Sequence, residues 1–259
     1  MAIYTSKTRI DLEDVGYSNK ITNKAILKIL ENAGARQSET IHFGLNDMEN
    51  VGFSWILLGW KVKILKRPIY NEELTINTWG RDSNRIFTYR DYEIYDESGE
   101  LCTIATSKWA IVDINTGKLR ELTPEIIEKY QCETKKVFKE DYTLKLKEPT
   151  TIIRKQEYKA QRRDIDINKH IHNLYYLDYA YEVLPEEVYE APECNNIEIM
   201  YKKQIRLNDE FKCLYTKEKN QKILALNSMQ SVTSDDVKNG ETYLNVMQSN
   251  LDVLKQALN

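Results

Sequence analysis

Asp14-Val15-Gly16-Tyr17-Ser18-Asn19-Lys20-Ile21-Thr22-Asn23 and Asp164-Ile165-Asp166-Ile167-Asn168-Lys169-His170-Ile171-His172-Asn173 align without a gap at an offset of 150, from Asp14 to Asp164. The aligned pair shares Asp, Ile and Asn, with conservative Val/Ile and Tyr/Ile exchanges. An alternating, strand-like stretch precedes each copy: Ile3 to Ile10 in the first, Thr151 to Ala160 in the second. A helical pattern follows each. Ile21, Ala25, Ile26, Ile29, Leu30 and Ala33 recur at helical spacing, as do Ile171, Leu174, Tyr175, Tyr181 and Leu184. A duplicated strand–corner–helix unit decides the architecture, because a missed repeat misassigns the whole fold.

Outward from the helices, both halves turn strand-rich. Trp55 to Leu65, Leu74 to Trp79, Arg85 to Tyr95 and Leu101 to Asp113 read as four strands, separated by turn chemistry at Pro68 to Asn71, Gly80 to Asn84 and Asp96 to Glu100. Asn196 to Leu207, Glu210 to Lys217, Lys222 to Ser231 and Glu241 to Gln248 repeat that order in shorter form. Between the halves, the charged stretch from Leu122 to Pro149 predicts a connector with a short helix, Thr123 as N-cap and Pro124 at N1. Leu251 to Leu258 suits either a last strand or a brief helix. The expected fold class is α+β: a tandem (double) hotdog, each half a long helix wrapped by an antiparallel sheet. Its parts are an N-terminal repeat over 1–121, a connector over 122–149 and a C-terminal repeat over 150–259. Two unrelated α+β domains are the alternative.

Composition narrows the function. The 259 residues are 41% hydrophobic and 30% charged, enough apolar material for a core. A net charge of -3 offers no bulk positive field for nucleic acid. Only 9 Gly and 5 Pro stand against 17 Tyr, which disfavours Gly-rich phosphate loops. The four cysteines form no Cys-x-x-Cys pair and there are three histidines, so no structural metal site and no cofactor are expected. The longest apolar stretch, Phe53 to Trp60, is far short of the roughly 20 residues of a membrane span. The N-terminal residues have no signal-peptide core, and the expected compartment is the cytoplasm. A monomer or a homodimer is expected.

The polar residues of the second copy are the candidate site. Read as an extended strand, Asp164, Asp166 and Asn168, with His170 beyond them, share one face while Ile165 and Ile167 anchor in the core. A helix starting near His170 would add unpaired amides able to hold an oxyanion. The alternative is that these residues simply cap the helix. The first copy has Gly16, Ser18 and Lys20 at the matching positions, so the corner forms without the Asp/Asn/His set. Chemistry is therefore expected in the second repeat only, with Asp164, matched by Asp14, in a structural role.

The second copy, continued through Leu174-Tyr175-Tyr176, resembles the D-x-D-x-N-x-H-x-N-N-x-x-Y signature of the acyl-acyl carrier protein thioesterases, with His172 in place of the first Asn of the N-N pair and Asn173 as the second. Arg67-Pro68, Thr78-Trp79, Ser107-Lys108-Trp109 and Ile197-Glu198-Ile199-Met200-Tyr201-Lys202-Lys203-Gln204-Ile205 extend the likeness. It implies a tandem hotdog that hydrolyses fatty acyl-carrier-protein thioesters, with Asp166, Asn168 and His170 as catalytic residues. Gln204 stands where many members carry a catalytic Glu, and Ile205 where plant members carry Cys, so a Cys nucleophile there is excluded and water is the expected nucleophile. The resemblance also implies an acyl tunnel in the first repeat, around Ala25, Ile29, Ala33 and Phe53 to Leu58, residues that equally suit plain core. Acyl carrier protein is the expected partner, steered by Arg162, Arg163, Lys169, Lys202 and Lys203. An acyl-CoA hydrolase and a non-catalytic acyl-binding module are the alternatives.

Overall fold

A computed structural model describes residues 3–139, 146, 151–189 and 194–217. They group into two compact units, one holding residues 3–139 with 194–200 and the other 146, 151–189 and 201–217.

In the first unit, strand β1 (Tyr4–Arg9) runs into a 3₁₀ turn, Leu12–Asp14, and then helix α1 (Asn23–Thr40). Thr22 caps α1 by accepting the Ala25 N–H at 3.1 Å. Strands β2 (Phe53–Ile64), β3 (Glu73–Ser83), β4 (Thr88–Tyr95) and β5 (Leu101–Asp113) follow, with helix α2 (Met48–Val51) ahead of them. The short strand β6 (Leu119–Arg120) pairs with β5, and helix α3 (Pro124–Tyr130) begins with Pro at N1. Thr123 occupies the N-cap position, but its side chain makes no cap bond.

α1 lays Ala25, Ile26, Leu27, Ile29, Leu30 and Ala33 into the core, beside Trp60, Leu74, Ile76, Trp79 and Tyr92. Each large apolar side chain buried this way contributes roughly 1.5–3 kcal/mol. At Gly34 a Cβ would lie 2.9 Å from the Tyr92 hydroxyl and 3.2 Å from Arg90 Cδ, so a glycine lets these two side chains pass against the helix. The connector stays on this unit as far as residue 139. Glu133 N–H donates to Gly80 O at 2.8 Å, Val137 N–H to the Asp91 carboxylate at 3.0 Å, and Lys135 pairs with Glu93 at 2.7 Å.

The second unit repeats the opening. β7 (Arg154–Lys159) lies 150 residues after β1, and a 3₁₀ turn follows at Arg162–Asp164. Helices α4 (Tyr175–Glu182) and α5 (Glu186–Tyr189) come next. Strand β8 (Asn196–Met200) pairs antiparallel with β2 and completes the sheet order β1-β3-β4-β5-β2-β8 in the first unit, although the repeat alignment places it in the second half. Arg67 helps hold that segment, donating to Cys194 O at 3.1 Å and Asn195 Oδ1 at 3.2 Å. The expected strand to Leu207 stops at Met200, because the chain must turn to meet the corner.

β9 (Glu210–Tyr215) pairs with β7 as β3 pairs with β1: Lys159 faces Glu210 as Arg9 faces Glu73. This second part of the repeat has its own offset of 137, from Glu73 to Glu210. Asn71 and Asn208 mark it, both left-handed at φ 70° and 69°. Ala160, Ile171, Val183, Ile205, Phe211 and Cys213 form the core of this unit. The expected strands Lys222 to Ser231 and Glu241 to Gln248, and the segment Leu251 to Leu258, lie outside the described residues. Among the described residues no helix is long and apolar enough to cross a membrane.

Candidate active site

The two corners share one backbone. In the first, Asp14 O accepts from Thr22 N–H at 2.9 Å, Gly16 N–H donates to Lys20 O at 3.0 Å, and Val15 bridges Ile21. In the second, Asp164 O accepts from His172 N–H at 2.8 Å, Asp166 N–H donates to His170 O at 2.9 Å, and Ile165 bridges Ile171. Asn19 and Lys169 are both left-handed, at φ 59° and 65°.

This geometry corrects the extended-strand reading. Residues 166–169 form a tight turn rather than an alternating strand. Asp166 Oδ1 accepts the Asn168 N–H at 2.8 Å, and Lys169 N–H donates to Asp166 O at 3.0 Å, the local bonding by which Asp closes turns. Ile165 packs on the core, but Ile167 is 67% exposed at the tip, and Tyr17 at the matching position 84%. Asp164 does not line a common face with Asp166 and Asn168; it is buried and accepts from Tyr179 Oη at 2.5 Å, in keeping with the structural role expected of it. Nor does the helix begin at His170. α4 starts at Tyr175, and the Leu174 N–H already donates to His172 Nδ1 at 3.3 Å.

The turn does bring Asp166, Asn168 and His170 together. The Asp166 carboxylate also takes the Asn168 side-chain amide at 3.4 Å and the His170 N–H at 3.4 Å. His170 is half-buried and pairs across an isolated bridge with Arg206. Burial pushes its pKa below 6.5, and the Arg206 guanidinium pushes the same way; Asp166 and Asp209 oppose them without prevailing. The shift favours the neutral imidazole, the form able to accept a proton, while the contact with the Asp166 carboxylate is made by the His170 main-chain N–H.

Gln204 is exposed on the neighbouring segment. Ile171 N–H donates to Ile205 O at 2.8 Å as Ile21 N–H donates to Pro68 O at 2.9 Å, which makes Gln204 the counterpart of Arg67. Arg67 is a clamp, bonding Ile21 O at 2.8 Å and Asn23 Oδ1 at 2.6 Å. Gln204 carries no charge, so the second corner lacks that guanidinium.

Sequence reasoning missed Arg206 and Asp209 as the charges around His170. Asp209 Oδ2 accepts the Arg206 N–H at 2.8 Å. The signal was there in Asn71-Glu72-Glu73 against Asn208-Asp209-Glu210, the second register of the repeat. Tyr176, whose hydroxyl is pushed up to about 12 by burial, stands edge-on to Tyr201 at 5.9 Å and adds an aromatic wall.

Comparison with known proteins decides the family. Residues 1–130 match the acyl-ACP thioesterase N-terminal domain and residues 147–250 the acyl-ACP thioesterase C-terminal domain. The chain belongs to the acyl-ACP thioesterase family. Among its relatives is oleoyl-acyl carrier protein thioesterase 1 of Arabidopsis thaliana, a chloroplastic protein, 24% identical over 222 residues. That match takes in 80% of this chain and 61% of the relative, so the chain spans less than two thirds of the plant protein's length. Two solved family structures have the same fold. The acyl-ACP thioesterase from Bacteroides thetaiotaomicron superposes with a TM-score of 0.75 at 21% identity, covering 85% of this chain and 88% of that one. The 12:0-ACP thioesterase from Umbellularia californica gives 0.75 at 18% identity, with 85% and 89% covered. This acyl-ACP thioesterase family member therefore has the α+β tandem hotdog fold that its repeats predict.

Proposed function

We propose that the protein hydrolyses the thioester of fatty acyl-acyl carrier protein, with water as nucleophile at the second corner. The observation that carries this is the Asp166–Asn168–His170 turn on a backbone whose first copy has none of these residues, in a chain of this family. Asp166, supported by neutral His170, takes a proton from water as the water oxygen bonds to the thioester carbon. Asn168 orients the water or the carbonyl, and Gln204 supplies a hydrogen bond but accepts no proton. The C–S bond then breaks, and the leaving sulfur takes the proton back, giving free fatty acid and holo-carrier protein.

Cysteine chemistry is disfavoured. All four cysteines are free thiols, and burial pushes Cys213 up to about 12 and Cys102 to about 11, leaving almost no thiolate at pH 7. Exposed Arg162, Arg163, Lys169 and Lys202 flank the turn in the second unit and suit an acidic carrier protein. In this reading the halves divide as 1–121, 122–149 and 150–259, and the protein works in the cytoplasm.

Thiol release from acyl-carrier-protein and acyl-CoA thioesters of graded chain length is the test. Faster release from the carrier protein supports the proposal. Preference for CoA makes it an acyl-CoA hydrolase, and binding without release makes it an acyl-binding module. Replacing all four cysteines should leave turnover largely intact.

A further inference from the structure

Asp164 lies two residues before Asp166, yet its buried carboxylate takes no part in the turn. Its Oδ2 accepts the Gln161 N–H at 2.8 Å and the Tyr179 hydroxyl at 2.5 Å, and Arg163 Nε stands 3.7 Å from Oδ1. Its backbone holds both arms of the corner. The carbonyl binds His172 N–H at 2.8 Å, and the next residue, Ile165, bridges Ile171. Tyr179 projects from α4 and is braced in turn, its ring 4.9 Å from that of Tyr158 and 4.8 Å from that of Phe211. A continuous path of contacts therefore runs from β7 and β9 through Tyr179 and Asp164 to the arms that carry Asp166 and His170.

The first unit solves the same packing problem with different chemistry. Asp14 is equally buried and accepts the Asp11 N–H at 3.1 Å, but its helix partner is the ammonium of Lys28. By the 150 offset, Lys28 corresponds to Asp178 and Tyr179 to Ile29. From its helix, the unit with Gly16, Ser18 and Lys20 offers its aspartate an ammonium, and the unit with Asp166, Asn168 and His170 offers a phenol, with Arg163, the residue before Asp164, standing 3.7 Å away.

We propose that Asp164 and Tyr179 are a positioning pair for the catalytic turn, in which the phenol anchors the buried carboxylate and, through it, the two arms that carry Asp166 and His170. This rests on the hydrolase reading for its meaning in turnover, but the anchoring can be read without turnover. Asp166, Arg206 and Asp209 are the charged groups acting on His170, and Arg163 faces Asp164.

The test uses Tyr179→Phe, which keeps the braced ring and removes the donor, and the double variant Asp178→Lys/Tyr179→Phe, which installs the first unit's partner. Three readouts are followed: the His170 titration midpoint by NMR in the free protein, kcat against KM, and thermal unfolding. With only three histidines, His170 is assigned by its loss in His170→Ala. Tyr179→Phe is expected to lower kcat about 10- to 100-fold with KM within about twofold, through misplacement of the turn. The His170 midpoint should rise toward 6.5 as the loosened loop lets water in. The double variant, whose lysine can hold Asp164 as Lys28 holds Asp14, should recover the parental Tm and most of the kcat lost in Tyr179→Phe. Parental midpoint and kcat in Tyr179→Phe, whatever its Tm, would overturn the pair. So would a double variant with a restored Tm that keeps the kcat and the His170 midpoint of Tyr179→Phe. If the parent releases no thiol from any thioester, the hydrolase reading fails, and the His170 midpoints still decide the anchoring.

Discussion

The corner at residues 10–23 and the corner at residues 160–173 make the same backbone bonds at nearly the same lengths, and they put different groups at the tip. Gly16, Ser18 and Lys20 occupy the first; Asp166, Asn168 and His170 occupy the second. The backbone pattern is met in both by main-chain groups and by one buried aspartate, Asp14 or Asp164. The shared backbone forms with a glycine at position 16, although in the second corner the Asp166 carboxylate adds a bond of its own to the Asn168 N–H. Side chains at the tip of the second corner are therefore free to be chosen for chemistry, and their presence in one copy alone is a stronger pointer to function than the same residues in an unrepeated chain.

Several substitutions would break or sharpen this contrast. The largest effect is expected from Asp166→Asn, which removes the base. Hydrolysis should fall by about 10²- to 10⁴-fold while the turn persists, because Asn still accepts the Asn168 N–H. Steady-state thiol release and a circular dichroism melt check the two halves of that statement. Next in size, Asp14→Ala and Asp164→Ala should each cost about 1–3 kcal/mol of stability by stranding buried donors, measurable by urea unfolding. A large cost in one unit and none in the other would mean that the aspartates are not equivalent.

The pH profile gives a smaller, signed effect. The proposed role needs His170 neutral, so kcat should fall as pH drops through a midpoint below 6.5. Stability moves the same way. With the folded pKa below the unfolded one, the unfolded chain binds more protons, so the contribution of His170 is whole above 6.5 and is lost as pH falls through the folded midpoint. An acid limb above 6.5 would contradict this. The smallest change is expected for Gln204→Glu. The side chain is exposed, and thiol release should stay within about tenfold of the parent; a larger loss would show that the amide is specifically required.

Much of this was legible in the sequence. α1 and the long strands β2 and β5 follow from apolar spacing, and the duplication follows from ten aligned residues. The turn was misread because Asp-Ile-Asp-Ile alternates with the period of a strand, whereas short polar side chains close turns through their own carboxylates, which spacing does not reveal. Lys169 hides the left-handed residue that the turn requires, yet its counterpart Asn19 displays it, since Asn tolerates that conformation far better than Lys. The Asp164–Tyr179 bond spans 15 positions between a turn and a helix and has no sequence signal beyond the repeat. Strand β8 was expected within Asn196 to Leu207, but its early end at Met200 and its pairing with β2 are matters of topology, not composition.

The central claim is that one corner carries the chemistry and its twin only the fold. The most direct measurement is steady-state hydrolysis of acyl-carrier-protein by His170→Ala and Lys20→Ala, substitutions at matched positions, side by side with the parent. Loss of about 100-fold or more in His170→Ala with parental turnover in Lys20→Ala is the predicted result. Equal losses in both, or parental turnover in a folded His170→Ala, would contradict it.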